Sequence, residues 1–228
     1  MSDLPKIKPL SESAVVVEFG DEISEELNAN AIALADLLER DRFLGFIEAV
    51  PAYASVTVFF DAAKAAERSD HSTAARFVEA VLGGAFDKLS VKTSSTRDVV
   101  EIPTDFSSPV GLDLETVANT CRLKVDDVID IFISRTYRVY MVGFLPGFAY
   151  MGETDERIRV PRLEKPRAKV PKGSVGLAGA QTGIYPLESP GGWQIIGRTS
   201  IEMFTPDAET PSRLKAGDIV KFIPISCL

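Results

Sequence analysis

The 228-residue sequence predicts an α+β fold made of two successive domains. Apolar residues in the first hundred positions alternate between a period of two and a period of 3.6, which indicates strands interleaved with helices. Residues 143–192 hold 9 glycines and 6 prolines, half of the chain's total of 30. Because both residue types disrupt helices, this segment favours short strands joined by tight turns. We place the first domain at residues 1–96 and the second at residues 97–228.

The first hundred residues predict the element order βαββαβ. Ser24 can cap a first helix whose apolar residues share one face, and Asp70 or Ser72 can cap a second helix that stops at Gly83-Gly84. The predicted strands cover residues 14–19, 46–50, 55–60 and 99–102. This order is typical of a ferredoxin-like domain, in which two helices cover one face of an antiparallel sheet.

The second domain is predicted to begin with two short helices, at residues 113–120 and 125–134. Short β-type runs follow, separated by glycine and proline, which is typical of a small barrel or sandwich. They cover residues 138–142, 174–178, 194–196, 201–204 and 219–223.

Composition excludes several functional classes. The net charge of −8 argues against a nucleic-acid partner, because an acidic chain repels phosphate backbones. No apolar run approaches the ~18 residues needed to span a membrane. Two cysteines, Cys121 and Cys227, are too few for a disulfide framework, so we expect a cytoplasmic protein.

Standard catalytic motifs are missing from the sequence. His71 is the only histidine, so neither a Ser-His-Asp triad nor a histidine-rich zinc site is expected, and we predict no metal site. The glycine-rich phosphate loops and the nucleophile-elbow motif are also absent. Cys121 falls in a helical pattern and is interpreted as a structural thiol.

Residues 143–199 carry polar and aromatic side chains beside almost every glycine and proline. Arginines on such rigid loops suit bidentate binding of carboxylate or phosphate, and turn N–H groups suit an oxyanion. Residues 157–172 contain seven bases and one acid. We interpret Arg162, Arg167, Gln181 and Arg198 as functional, and Arg157, Arg159, Lys165, Lys169 and Lys172 as a solvated face. The alternative is that a small barrel needs these turns for its own folding.

The aromatic residues of this segment allow two interpretations. Trp193, Phe144, Phe148 and Tyr185 could form a stacking platform for a ligand or could fill the core. Residues 148–151 could also contribute apolar area to an interface with a partner.

Five motifs in this region together resemble the family of the 5-oxoprolinase B subunit, which is also called allophanate hydrolase subunit 1 or KipI. They are GFLPGFAYMG (143–152), PRAKVPKGSV (166–175), QTGIYP (181–186), SPGGW (189–193) and IIGRT (195–199). The resemblance implies a small α+β domain followed by a cyclophilin-like β-barrel. It also implies a larger carboxyltransferase-like partner and a third, lactam-handling subunit, which together use ATP to convert 5-oxo-L-proline to L-glutamate.

The resemblance also implies which residues form the site. Substrate or phosphate binding would fall on Arg162, Arg167, Phe144, Gly147, Phe148, Tyr185, Gly192 and Trp193, and catalysis on Gln181, Thr182, Ser174 and Arg198. Two positions depart from the family pattern: Phe132 stands where a histidine is usual, and residues 104–108 replace a segment of the type Tyr-Gly-Gly-Glu. The leading hypothesis is therefore a subunit of a lactam hydrolase, and the alternative is a KipI-like regulator that binds and inhibits a sensor histidine kinase.

Overall fold

A computed structural model describes residues 5–67, 73–89 and 99–225. The chain divides into two compact units, residues 1–95 and 96–228. His71, Cys227 and the predicted helix caps Asp70 and Ser72 lie outside the described residues. Within the described part, no helix is both long enough and apolar enough to cross a membrane.

The first unit is an antiparallel four-stranded sheet with the strand order β1-β2-β4-β3, accompanied by three helices. Its strands are β1 (Lys6–Ser11), β2 (Ala14–Glu18), β3 (Phe46–Pro51) and β4 (Ser55–Phe60). Its helices are α1 (Glu25–Arg40), α2 (Ala62–Ala66) and α3 (Ala74–Phe86).

The two longer helices of this unit begin at side-chain caps. Ser24 caps α1 as predicted, because its hydroxyl accepts a hydrogen bond from the Leu27 N–H at 3.1 Å. The cap of α3 is Thr73, which accepts from the Arg76 N–H at 3.3 Å. The predicted stop at Gly83-Gly84 is wrong, since α3 continues to Phe86. Glycine weakens a helix interior by about 1 kcal/mol, and that cost does not by itself end a helix that packs on a core.

The predicted order βαββαβ is wrong in its last strand. Residues 99–104 form β5 (Val99–Thr104), which pairs in parallel with β13 (Ile219–Pro224) in the second unit. In the first unit, β1 instead occupies the position beside β2. β1 and β2 form a hairpin, so the edge strand beside β2 comes from residues that are adjacent in sequence. The sheet of the first unit is therefore complete without a strand that follows α3. The ferredoxin-like interpretation is therefore not confirmed.

The second unit is built around a seven-stranded, barrel-like sheet with the order β12-β9-β10-β7-β6-β13-β5. Asp105, just after β5, and Arg198, the last residue of β12, exchange two backbone hydrogen bonds of 2.8 Å, which nearly close the sheet into a ring. The remaining strands are β6 (Tyr137–Val142), β7 (Ala149–Gly152), β9 (Ser174–Ala178), β10 (Gln181–Ile184) and β12 (Gln194–Arg198), and the helices are α4 (Leu114–Cys121) and α5 (Val125–Ile133). A separate two-stranded ribbon joins β8 (Arg167–Val170) to β11 (Ser189–Gly191).

One further expectation differs from the structure of this unit, and one departure from the family pattern has a structural explanation. Residues 201–204 form no strand, and Phe204 makes only an isolated bridge to Ser212. Phe132, where the family usually has a histidine, is fully buried, with its ring 4.8 Å from that of Phe222 and 5.0 Å from that of Tyr137. This position therefore contributes to the core in this chain.

Candidate functional site

An aromatic cluster packs on the outer face of the barrel-like sheet. Phe148 lies at its centre, with ring-centroid distances of 4.7 Å to Tyr150, 5.2 Å to Tyr185 and 5.4 Å to Trp193. Phe148, Tyr185 and Trp193 are buried. The two interpretations of these aromatic residues, a ligand platform and a core plug, therefore do not exclude each other, because the rings form a second apolar cluster that is separate from the barrel core.

Two glycines make room for this cluster. Gly176 on β9 and Gly183 on β10 are directly paired across the sheet. A Cβ atom on Gly183 would lie 3.0 Å from both Phe148 Cζ and Trp193 Cζ3, and a Cβ atom on Gly176 would lie 3.0 Å from Trp193 Cβ. The rings therefore lie directly against the backbone, an approach that requires glycine.

The β8–β11 ribbon brings Arg167 beside this cluster. Arg167 at the start of β8 pairs with Gly191 at the end of β11. A side chain at Gly191 would overlap the Tyr185 hydroxyl, so the ribbon backbone passes directly over that group. The predicted Gly192 continues this turn, and its carbonyl accepts a hydrogen bond from the Leu163 N–H at 2.7 Å.

Arg162 covers the same cluster from another segment. Its guanidinium carbon lies 5.9 Å from the centre of the Trp193 ring, in the range of a cation–π contact. Burial raises the pKa of Tyr185, while a hydrogen bond from the Trp193 backbone and the positive charges of Arg162 and Arg167 act in the opposite direction. Burial also raises the pKa of Tyr150, and Arg162 opposes that shift. Both phenols are therefore protonated at neutral pH, with two guanidinium groups acting on the Tyr185 hydroxyl.

Arg167 is hydrogen-bonded at one terminal nitrogen and has no partner at the other. One of its terminal nitrogens, Nη2, donates to the Asp113 carboxylate, and the other, Nη1, is buried with no hydrogen-bond partner. A buried donor without an acceptor costs about 1–3 kcal/mol, so it marks a place where an acceptor from a ligand would be stabilised. Gln194 Oε1 is a second buried atom without a partner.

Most of the other bases between residues 157 and 172 pair with acids at the surface. Their ion pairs are Arg157–Asp155, Arg159–Glu153, Lys169–Glu188 and Lys172–Glu202. These contacts agree with the interpretation of Arg157, Arg159, Lys169 and Lys172 as a solvated face. The predicted functional arginines Arg162 and Arg167 are thus the two that meet at the aromatic cluster.

The loop between β6 and β7 presents a strained, exposed aromatic residue. Phe144 has a φ of +68°, a region that L-residues other than glycine seldom adopt, and 66% of its surface is exposed. Gly147 also has a positive φ, and a Cβ atom there would lie 2.9 Å from the Met203 carbonyl oxygen. Such strain persists only where the surroundings enforce it, and it is frequent at binding sites.

The structure spreads the four predicted catalytic residues along the β9–β10 hairpin and its neighbour β12. Gln181 pairs with Ala178 at one end of the hairpin, whereas Ser174 lies four residues away, about 13 Å at the usual rise of a strand. The buried Thr182 hydroxyl donates to the Gly176 carbonyl at 3.0 Å. Arg198 pairs with Ser174 and donates from Nε to the Lys172 carbonyl at 2.8 Å. A catalytic role for this group stays a prediction.

Sequence reasoning missed Asp113, which it treated only as the start of a helix. An aspartate at a helix start is ordinarily explained by capping, so the sequence carried no signal of a contact 54 residues away. Burial raises the pKa of the Cys121 thiol, which fits a structural cysteine. Among the residues that the structure describes, no three His, Cys, Asp or Glu side chains are grouped so that they could hold a metal ion.

Comparison with known proteins identifies the family. The family of the carboxyltransferase domain, subdomains C and D, matches residues 5–214. A 5-oxoprolinase B subunit from Bacillus subtilis (strain 168) is 42% identical over 97% of this chain and 93% of its own length, and one from Escherichia coli O157:H7 is 35% identical over 94% of each. The crystal structure of TTHA0988 superimposes with a TM-score of 0.81 at 36% identity. The match covers 94% of this chain and 41% of the TTHA0988 chain, so this chain spans about two fifths of that longer protein. The resemblance in the sequence motifs is therefore confirmed, and the chain belongs to the carboxyltransferase subdomain C and D family that includes the 5-oxoprolinase B subunits.

Proposed function

We propose that this chain is a subunit of an ATP-dependent lactam hydrolase of the 5-oxoprolinase type, which converts 5-oxo-L-proline to L-glutamate. The observation that carries the proposal is the placement of two guanidinium groups at the aromatic cluster: Arg162 lies over the Trp193 ring, the charges of Arg162 and Arg167 both act on Tyr185, and Arg167 Nη1 is a buried donor without a partner. The names of the relatives supply the substrate class.

The chemistry of 5-oxo-L-proline matches these groups. It is a small ring with one carboxylate, and an apolar wall beside guanidinium donors suits such a molecule. Trp193 and Tyr150 would contact the ring, and Arg167 would bind the carboxylate. A neutral Tyr185 hydroxyl can donate a further hydrogen bond to an anionic oxygen.

ATP would supply the energy for opening the lactam. Transfer of its terminal phosphoryl group to the lactam oxygen would release ADP and activate the ring carbon for attack by water. The tetrahedral intermediate would then expel the protonated ring nitrogen, which breaks the C–N bond and leaves an acyl phosphate, and a second water would hydrolyse that acyl phosphate to L-glutamate and inorganic phosphate. Arg162 and Arg167 fit one anionic group, such as a carboxylate or the phosphoryl group of this intermediate. We assign the nucleotide itself to the assembled complex and no separate nucleotide site to this chain.

Phe144 fits a contact with another protein. An exposed aromatic ring in a fixed backbone conformation is typical of the residues that dominate interface energies. We propose that this loop binds the larger carboxyltransferase-like subunit, with a third, lactam-handling subunit completing the complex. We also infer that the second unit is the cyclophilin-like barrel that the resemblance implies.

Reconstitution tests the proposal. The purified chain should be nearly inactive alone, and the complex of all three subunits should hydrolyse ATP only when 5-oxo-L-proline is present. Replacing Arg162 by Met should lower this activity at least tenfold, whereas Arg157→Met should not, because Arg157 pairs with Asp155 away from the cluster. Equal activity of the two variants, or no lactam-dependent hydrolysis in the complete complex, would contradict the proposal.

The same exposed loop supports a second candidate, the KipI-like regulator of a sensor histidine kinase. Affinity purification from cells separates the two functions. Co-purification of a carboxyltransferase-like subunit, lost in Phe144→Ser, supports the hydrolase. Recovery of a histidine kinase through the same residue, without that subunit, supports regulation.

A further inference from the structure

Asp113 lies at the start of α4, where its carboxylate does not cap the helix. Its side chain makes no hydrogen bond to the first turn of α4. Instead, Oδ2 accepts a hydrogen bond of 2.6 Å from the Ile195 N–H on β12, and Oδ1 accepts from Arg167 Nη2 on the ribbon. The carboxylate therefore joins three segments that are far apart in the sequence.

This arrangement holds the carboxylate rigidly. The Asp113 backbone N–H donates to the Ile195 carbonyl at 2.7 Å, so main chain and side chain both bind the same residue of β12. Asp113 is only 5% exposed. A buried charge is stable only when it is paired and hydrogen-bonded, and both carboxylate oxygens meet that condition here.

The consequence for Arg167 is a fixed orientation of its guanidinium plane. Because the plane is rigid, fixing Nη2 on Asp113 also fixes the direction of Nη1, the buried nitrogen without a partner. A flexible side chain would instead turn Nη1 towards water. The Asp113 carboxylate therefore keeps Nη1 in its buried, unpartnered position.

We propose that Asp113 is a positioning residue, which orients Arg167 so that Nη1 faces the anionic group of the bound ligand. This assignment rests on the proposed function, because it takes the ligand to be the carboxylate or phosphoryl group described above. Asp113 would not touch the ligand and would act only through Arg167.

The test is a double-mutant cycle in the reconstituted complex, with 5-oxo-L-proline as the varied substrate. Asp113→Asn and Arg167→Lys should each raise KM by about tenfold or more, the range seen when partners that support metal ligands are removed. The double variant should be no worse than the poorer single variant, because Asp113 acts only through Arg167. Glu115→Gln is the matched control, since it removes an exposed carboxylate from the same helix and should change KM less than twofold.

The outcomes separate the two claims. If Arg167→Lys raises KM while Asp113→Asn behaves like Glu115→Gln, or lowers KM, only the positioning role is wrong. If the effects of the two substitutions multiply in the double variant, Asp113 has a structural role alone. A wild-type complex without lactam-dependent activity, or an Arg167→Lys complex with unchanged KM, overturns the proposed function and this assignment together. Should Asp113→Asn fail to fold, Asp113→Glu carries the same test, because it keeps the charge and displaces both oxygens.

Discussion

Gly183→Ala tests the close contact between the aromatic cluster and the sheet. The added methyl group would lie 2.9 Å from the Ala149 carbonyl oxygen, and 3.0 Å from both Phe148 Cζ and Trp193 Cζ3. None of these atoms is the free end of a flexible chain, so β7 or the rings must move. Overpacking of this kind costs about 1–3 kcal/mol, against a gain of about 0.4–1 kcal/mol from a less flexible unfolded chain. We expect a net loss of about 1 kcal/mol in the free energy of unfolding.

Trp193 provides the assay, because it is the only tryptophan in the chain. Its fluorescence reports urea unfolding of the second unit, and it also reports any displacement of the ring in the folded state. A loss of about 1 kcal/mol should lower the midpoint by roughly 0.5 M urea. The native emission spectrum of Gly183→Ala should also shift, because the added methyl group displaces the Trp193 ring from its position against Gly183 and beneath Arg162.

Gly143→Ala is the matched control in the same unit. A Cβ atom there would meet only the flexible end of Met141, at 3.5 Å, so the midpoint should change by the equivalent of about 0.5 kcal/mol or less. If Gly183→Ala and Gly143→Ala unfold at the same midpoint and keep the wild-type emission spectrum, the rings do not lie against the sheet as described.

Three other predictions follow from single contacts. Arg157 lowers the pKa of Asp155 by a side-chain and a backbone hydrogen bond. The carboxylate therefore stabilises the fold above its unfolded pKa of about 4, and this stabilisation is lost as the pH falls through the lower folded pKa. The difference in urea midpoint between wild type and Asp155→Asn should narrow below pH 4, and a difference that widens there would contradict the predicted direction of the pKa shift. Thr182→Val should cost about 1 kcal/mol in urea unfolding, because the Gly176 carbonyl loses its hydroxyl donor, and an unchanged midpoint would show that this bond contributes nothing. In absorbance titrations, Tyr150 and Tyr185 should ionise only above pH 10, since burial raises both pKa values. Replacing both tyrosines by phenylalanine should therefore remove two ionisation steps above pH 10, and the disappearance of a step below pH 9 would contradict the prediction.

Local signals in the sequence predicted the elements that depend on neighbouring residues. The Ser24 cap and the apolar face of α1 follow from spacing alone, and both are found. The strand predicted at residues 99–102 is also found, as β5, but its partner was not predicted. Its pairing with β13 joins residues 120 positions apart, and no local pattern distinguishes that sheet from the nearer one.

Local signals in the sequence also predicted part of the candidate site. The prolines before Arg162 and Arg167 marked those arginines; in the structure Arg162 lies over Trp193, and the charges of both act on Tyr185. The separation of Ser174 from Gln181 depends on hairpin register, which a motif read along the chain does not reveal. Asp113 was missed because its role depends on a contact in three dimensions.

A crystal structure of the complex with 5-oxo-L-proline tests most directly whether Arg167 binds the ligand's anionic group. We expect the carboxylate within hydrogen-bond distance of Arg167 Nη1, and the ring of the ligand beside Trp193 under Arg162. A ligand bound elsewhere, with Arg167 Nη1 still buried and without an acceptor, would contradict the account.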